Sequence, residues 1–164
     1  MARNKKPRKI YELKDFLKIR RELKKRGRQV VFTNGCFDLL HGGHIRLFQE
    51  AKKHGDVLVV ALNDDASVRK IKGPSRPIFP LAERWEILEA VEAIDYLTSF
   101  PEETPQKIIA ALLPDVLVKG GDWKPEDVVG KREVEAAGGK VVIVPYLQGH
   151  STSSIIRKII RASG

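Results

Sequence analysis

The chain has 164 residues, about one domain's worth, with 42% of them hydrophobic and 31% charged. That balance excludes a disordered or disulfide-scaffold protein and fits an ordinary soluble globular domain. A single cysteine, Cys36, cannot form an internal disulfide, which points to a reducing, cytoplasmic setting. No apolar run approaches the roughly 20 residues that span a bilayer. The basic start MARNKKPRK leads into no apolar h-region, so no secretory signal is expected.

The net charge of +9 is unevenly placed. Residues 1–28 carry 13 Lys/Arg against three acids, whereas residues 29–164 carry 17 basic and 18 acidic residues. The segment 1–28 therefore reads as a basic tail and helix set before the main body. Such a segment would suit nucleic acid or an anionic surface. However, Leu13, Phe16, Leu17, Arg20 and Leu23 recur at helical spacing, which predicts a docked helix over 11–25 with a solvated basic face. No aromatics interleave the charges for base stacking, so the docked helix is the better reading and a nucleic-acid partner is not expected. Residues 1–9 lack apolar periodicity and read as a frayed tail.

From Gln29 onward, β-rich apolar runs alternate with helical patterns. Strands are predicted over 29–33 (QVVFT), 57–62 (VLVVAL), 94–99 (IDYLTS), 116–119 (VLVK) and 141–145 (VVIVP). Near-continuous Val/Ile/Leu marks strands covered on both faces. Helices are predicted over 44–53, 81–92, 105–113, 131–137 and 153–161, with Pro80 and Pro105 at starts and Gly55 and Gly138 past ends. This alternation predicts a single α/β domain, a Rossmann-like doubly wound sheet of five parallel strands.

In such a sheet ligands bind beyond the carboxyl ends of the strands, at the point where strand order reverses. The segments following the predicted strands collect most of the His, Gly and hydroxyl residues. The first is TNGCFDLLHGGH, residues 33–44. Gly35 permits a sharp turn, and Gly42–Gly43 permit close approach to a helix start. His41 and His44 lie three apart, on one side of a first helical turn, beside unpaired N–H groups and the positive dipole end. That arrangement suits phosphate oxygens. Zinc is a poorer fit, because no third His or Cys has convincing spacing and HExxH is absent. Walker A, GxGxxG and GxSxG sequences are also absent, against P-loop NTPases, dinucleotide dehydrogenases and α/β-hydrolases. Near the other end, Ser151, Thr152, Ser153 and Ser154 precede a helix and exceed what one N-cap needs.

HGGH at 41–44 and STSS at 151–154 resemble the paired signatures of the HxGH nucleotidyltransferase superfamily. Four segments resemble the adenylyltransferase domain of ADP-heptose synthases more narrowly. They are TNGCFDLLHGGH, KGPSRPIFPLAERWEIL (72–88), LLPDVLVKGGDW (112–123) and GHSTSSIIRKI (149–159). The resemblance spans roughly residues 12–161 and makes 29–164 the nucleotidyltransferase domain. It implies transfer of AMP from ATP to D-glycero-β-D-manno-heptose 1-phosphate for lipopolysaccharide core synthesis, with Mg²⁺ arriving on ATP. A cytidylyltransferase for a small polyol or amino-alcohol phosphate remains open, as does a non-catalytic nucleic-acid-binding module using the basic N-terminus.

By the same resemblance, His41, His44 and Lys72 are the expected catalytic groups. Thr33, Gly35, Cys36, Phe37, Gly120, Ser151, Thr152 and Ser153 are expected, with the two histidines, at the nucleotide. Asp38, Lys72, Arg84, Lys119, Asp122 and Trp123 are expected at the sugar phosphate, with Lys72 on a flexible Gly/Pro loop. Arg84 is open to a second reading as an ion-pair partner of Asp38 or Glu83. Arg157 departs from the superfamily pattern and takes no role. A homodimer and no resident metal complete the expectation.

Overall fold

The Val/Leu/Ile runs fold into five strands in a computed structural model that describes residues 8–121, 123–145 and 152–163. They are β1 (Val30–Gly35), β2 (Val57–Asn63), β3 (Tyr96–Phe100), β4 (Val116–Gly120) and β5 (Lys140–Val144). All neighbours pair in parallel, in the order β3-β2-β1-β4-β5. The helices are α1 (Leu13–Lys25), α2 (Gly42–Lys52), α3 (Asp65–Lys72), α4 (Leu81–Glu89), α5 (Gln106–Leu112), α6 (Lys131–Ala136) and α7 (Thr152–Ser163). This is the doubly wound α/β architecture that the alternation predicts.

Successive strand residues point to opposite faces, and here both faces are dry. Val30, Phe32, Val57, Val59 and Ala61 join Phe16 of α1, Ile108 and Ile109 of α5 and Val134 of α6 in one core. Val31, Leu58, Val60 and Leu62 join Phe48 and Ala51 of α2 and Leu88 of α4 in the other. The α1 helix lies where its spacing predicts, with Leu13, Leu17 and Leu23 against the first core. Its one buried cation, Arg20, donates to the carbonyls of Leu112 and Leu113 and pairs with Asp115 at 3.2 Å. The basic charge on the rest of that helix faces solvent.

Two expectations need correction. The tail does not fray as far as residue 9: Lys9 accepts from the Leu97 N–H, and its ammonium donates to the Val91 carbonyl. The segment after β2 is not all loop, because α3 occupies Asp65–Lys72. Asp64 caps it by accepting from the Ser67 N–H at 2.7 Å, and Gly73, at φ 101°, ends it.

The sheet reverses direction between β1 and β4. β1 leads toward β2 and β3, and β4 toward β5 on the other side. β1 pairs with β2 along its whole length, up to Gly35, but with β4 only at Val31 and Phe32. Beyond those two residues the strands part. The cleft between their carboxyl ends is where a doubly wound sheet takes its ligand.

Candidate active site at the parting of two strands

β1 ends in Gly35, and the chain turns back through Phe37, a non-glycine residue at φ 45°. A side chain at residue 35 would crowd the Phe37 ring at 3.0 Å, so glycine lets the ring fold back closely over the strand end. The Phe37 ring is 6% exposed, with its centroid 5.2 Å from that of His44, edge on, and 5.0 Å from that of Phe48. It is a core residue that props up the start of α2, so only its backbone can serve a nucleotide. Thr33 is fully buried, and its hydroxyl has no hydrogen-bond partner among the described residues.

His41 is the N-cap of α2, in extended conformation, and its Nδ1 accepts from the Gly43 N–H at 3.1 Å. An accepting Nδ1 leaves the ring proton on Nε2, which makes that atom a donor. The His41 and His44 rings stack with centroids 3.8 Å apart and planes at 23°. Two stacked imidazoles cannot cheaply both be cations. Burial, reinforced by His41, pushes the His44 pKa down to about 4 from 6.5. The His44 Nδ1 is buried without a hydrogen-bond partner among the described residues. An orphaned polar atom at a helix N-terminus is what a phosphate oxygen would satisfy.

The depressed His44 pKa has a stability consequence with a definite sign. Unfolding returns His44 to its ordinary range, so between pH 6.5 and about 4 the unfolded chain binds more protons. Stability therefore falls as pH drops through that window. Thermal melts from pH 7 to 4 should show wild type losing ground to His44→Gln on acidification, and parallel curves would remove this account.

A second group of contacts fixes the turn in place. The Asp38 side chain is 1% exposed and receives Arg76 Nε at 2.5 Å and the Ile78 and Phe79 N–H groups at 2.9 Å. Burial opposes its charge, but the two backbone donors and the Arg76 guanidinium outweigh burial and hold the carboxyl below its ordinary pKa. Arg84, 1% exposed, donates to the carbonyls of Cys36, Asn63 and Phe79 and to the Asp65 carboxylate. These contacts give Asp38 and Arg84 a structural role that the expectation of substrate contact did not include. Both are committed to holding residues 36–38 against the connection from α3 to α4. The ion-pair alternative for Arg84 has the right chemistry, with Asp65 as the partner.

Lys72 is the last residue of α3, not part of a loop, and is exposed. Its charge still reaches the Cys36 thiol, whose pKa burial raises and Lys72 pulls back. Across the cleft, the Lys119 ammonium donates to Asn34 Oδ1 at 2.5 Å. Burial pushes its pKa down to about 8. A side chain at Gly120 would run into Leu47 of α2 at 3.2 Å, so the glycine makes room for that packing and offers a ligand only its backbone. Trp123 is 48% exposed beyond the strand end. Thr152, opening α7, donates its hydroxyl to the Leu39 carbonyl at 3.4 Å, which brings that helix start beside the His41 segment; Ser153 is exposed. Asp122 and Ser151 lie outside the described residues.

Residues 32–159 match the Cytidylyltransferase-like family. The chain belongs to that family. It is 57% identical over 141 residues to Bifunctional protein HldE of Geobacter metallireducens, covering 86% of this chain and 29% of that one. Identity to Bifunctional protein HldE of Shigella sonnei is 53% over 136 residues, 83% of this chain and 28% of that one. The chain thus spans less than a third of the length of these relatives. Among solved structures, it resembles the lipopolysaccharide core biosynthesis protein from Thermoplasma volcanium, with 30% identity and a TM-score of 0.61. That match covers 76% of this chain and all of the other. It shares its fold with pantoate-beta-alanine ligase from Francisella tularensis, at 19% identity and a TM-score of 0.60, over 93% and 79% of the two chains.

In this cytidylyltransferase-like chain the sequence pattern brings out His41, His44, Lys72, Lys119 and Thr152 as candidates. It does not single out Asn34, Asn63 or Asp65. Asn63, 4% exposed, donates to the Glu102 carbonyl at the end of β2, and Asp65 joins α3 to the starts of α4 and Arg84. A lone amide at the end of an apolar strand was the available signal for both asparagines. No helix among the described residues is long and apolar enough to cross a membrane.

Proposed function

We propose that the chain transfers AMP from ATP to D-glycero-β-D-manno-heptose 1-phosphate, releasing pyrophosphate and forming ADP-heptose for the lipopolysaccharide core. The observation that carries this reading is identity above 50% with Bifunctional protein HldE over more than four-fifths of the chain. A phosphate oxygen of the sugar phosphate attacks the α-phosphorus in line. A P–O bond forms there as the bond to the leaving pyrophosphate breaks. The attacking oxygen is already anionic, so no general base is required. Catalysis consists of positioning and of stabilising charge on the α-phosphoryl and leaving groups.

The Nε2–H of His41 and the N-terminus of α2 supply donors to the phosphates, joined by His44. Lys72, with Thr152 and Ser153 at the start of α7, approaches the same phosphates from the other walls. Lys119 and Trp123 face the sugar phosphate. The described groups facing the cleft are imidazoles, backbone amides, an amide side chain and ammoniums, which fit phosphate oxygens and not a hard cation. Mg²⁺ therefore enters as part of the MgATP substrate, screening its phosphates. The reading includes a cytoplasmic homodimer and no nucleic-acid partner.

Pyrophosphate release measured across ATP, CTP, GTP and UTP with a panel of sugar and polyol phosphates tests the assignment. The expected outcome is turnover with ATP and the heptose 1-phosphate, and product mass matching ADP-heptose. Turnover with CTP alone would move the chain to the polyol-phosphate branch of its family.

A further inference from the structure

We infer that Asn34 is a positioning residue that aims Lys119 at a phosphate ester entering the cleft, holding the ammonium without neutralising it. This inference rests on the nucleotidyl-transfer reading and assigns one wall of that site. The two side chains meet where β1 and β4 have stopped pairing, two residues beyond Phe32 on one strand and beyond Leu117 on the other. The Asn34–Lys119 hydrogen bond is thus a side-chain bridge across the mouth of the cleft, replacing a backbone one.

Lysines 14, 18, 25, 52, 53, 107 and 131 each pair with a carboxylate. Lys119 does not, among the described residues, although it is far less solvated than an ordinary surface lysine. Among the described residues, the elements packed around it offer no compensating charge. β1 gives the neutral Asn34, α2 gives Leu47 over Gly120, and the register partner on β5 is Ile143. The charged and titratable groups at this end of the sheet, among the described residues, are Cys36, Asp38, His41, His44, Lys72, Arg76 and Arg84, and burial alone accounts for the lowered Lys119 pKa. An ammonium has three donors, and Asn34 occupies one. Among the described residues, two donors and an uncancelled positive charge remain for an incoming anion.

The choice of an amide follows from electrostatics. Aspartate at residue 34 would hold Lys119 more tightly, raise its pKa and cancel the charge that the cleft offers a phosphate. Alanine would leave the charge but lose its aim. Burial already brings the Lys119 pKa to about 8, so an empty site sits close to the point at which the charge is lost. A phosphate ester restores it.

The test uses the intact chain with ¹³C-labelled lysine, Lys119 being assigned by the signal lost in Lys119→Arg. Wild-type Lys119 should titrate near pH 8. Asn34→Asp should move the midpoint up by about one pH unit or more. Sulfate, a dianion throughout this range, serves as the binding probe. Its affinity for wild type should fall by up to about tenfold per unit above pH 8. Asn34→Asp should bind it about tenfold more weakly at pH 7, and Asn34→Ala should fall between. Lys119→Arg, which keeps its charge, should bind sulfate without the step. A rise in KM for the sugar 1-phosphate alone or for ATP alone in Asn34→Asp identifies whose phosphate Lys119 meets. An unmoved Lys119 midpoint, or equal sulfate affinity in wild type and Asn34→Asp, overturns the inference whatever the melting temperatures. The titration and sulfate arms need no turnover, so they stand or fall separately from the heptose reaction.

Discussion

His44→Ala will lower kcat by about 10²–10³-fold, the usual cost of one donor aimed at charge that develops in the transition state. Its melting temperature at pH 7 should change little, because His44 is neutral there and its Nδ1 makes no hydrogen bond among the described residues. His41 behaves differently. Its imidazole also caps α2 through the Gly43 N–H, so His41→Ala loses about 1 kcal/mol of stability together with activity. His41→Asn keeps a capping oxygen and isolates the catalytic part. Measuring kcat, melting temperature and metal content on the same three variants separates the alternatives. A core-packing histidine would lower the melting temperature and spare kcat, and a zinc ligand would copurify with metal. Unchanged kcat in both alanine variants removes the phosphate-binding role of residues 41–44, and the mechanism with it.

Asp38→Ala is expected to cost about 3–5 kcal/mol of folding stability, the range for removing one partner of a buried ion pair. The carboxylate is 1% exposed and its Arg76 partner 12%. Its loss strands the guanidinium and two backbone N–H groups that no other described acceptor serves. Because hydrogen bonds hold the Asp38 pKa below the ordinary range, its contribution is complete above about pH 4 and is lost as pH falls through the folded value. The unfolding midpoint in urea at pH 7 measures the effect. A shift worth less than about 1 kcal/mol would show that the loop holds without Asp38. Activity should fall too, since the same contacts set the path of Cys36 and Phe37 beneath the histidines.

The parallel sheet was legible because β2 is nearly all Val, Leu and Ala and β1 and β4 open on short apolar runs, the composition of strands buried on both faces, whereas the strand order leaves no mark in any single run. The histidine pair was legible because its geometry is local: three residues along one helix start fix the distance between the rings. What escaped depends on contacts distant in sequence. Arg84 looks like a phosphate-binding arginine in a row of residues. Only the fold shows three carbonyls from separate segments converging on it. The α3 helix carried a cap in Asp64 and a stop in Gly73, but it buries only Ser67 and Val68, too few for a periodic signal. β1 extends two residues past its predicted end because β2 continues to pair with Asn34 and Gly35, and pairing of that kind is invisible in one strand's sequence.

The stacked neutral imidazoles bear on turnover as well as on binding. A pocket lined by permanent cations would hold inorganic phosphate and pyrophosphate from solution and would retain the leaving group after reaction. Here His44 is uncharged at rest, and the Lys119 charge is weakened by burial. Positive potential in the cleft therefore grows with the charge of its guest, since each added phosphate group raises the proton affinity of both side chains. The response is graded: a guest of higher charge raises the proton affinity of the cleft further than a small anion does. As a polyanionic guest departs, the added proton affinity goes with it, and the cleft returns to a state with a weaker hold on anions.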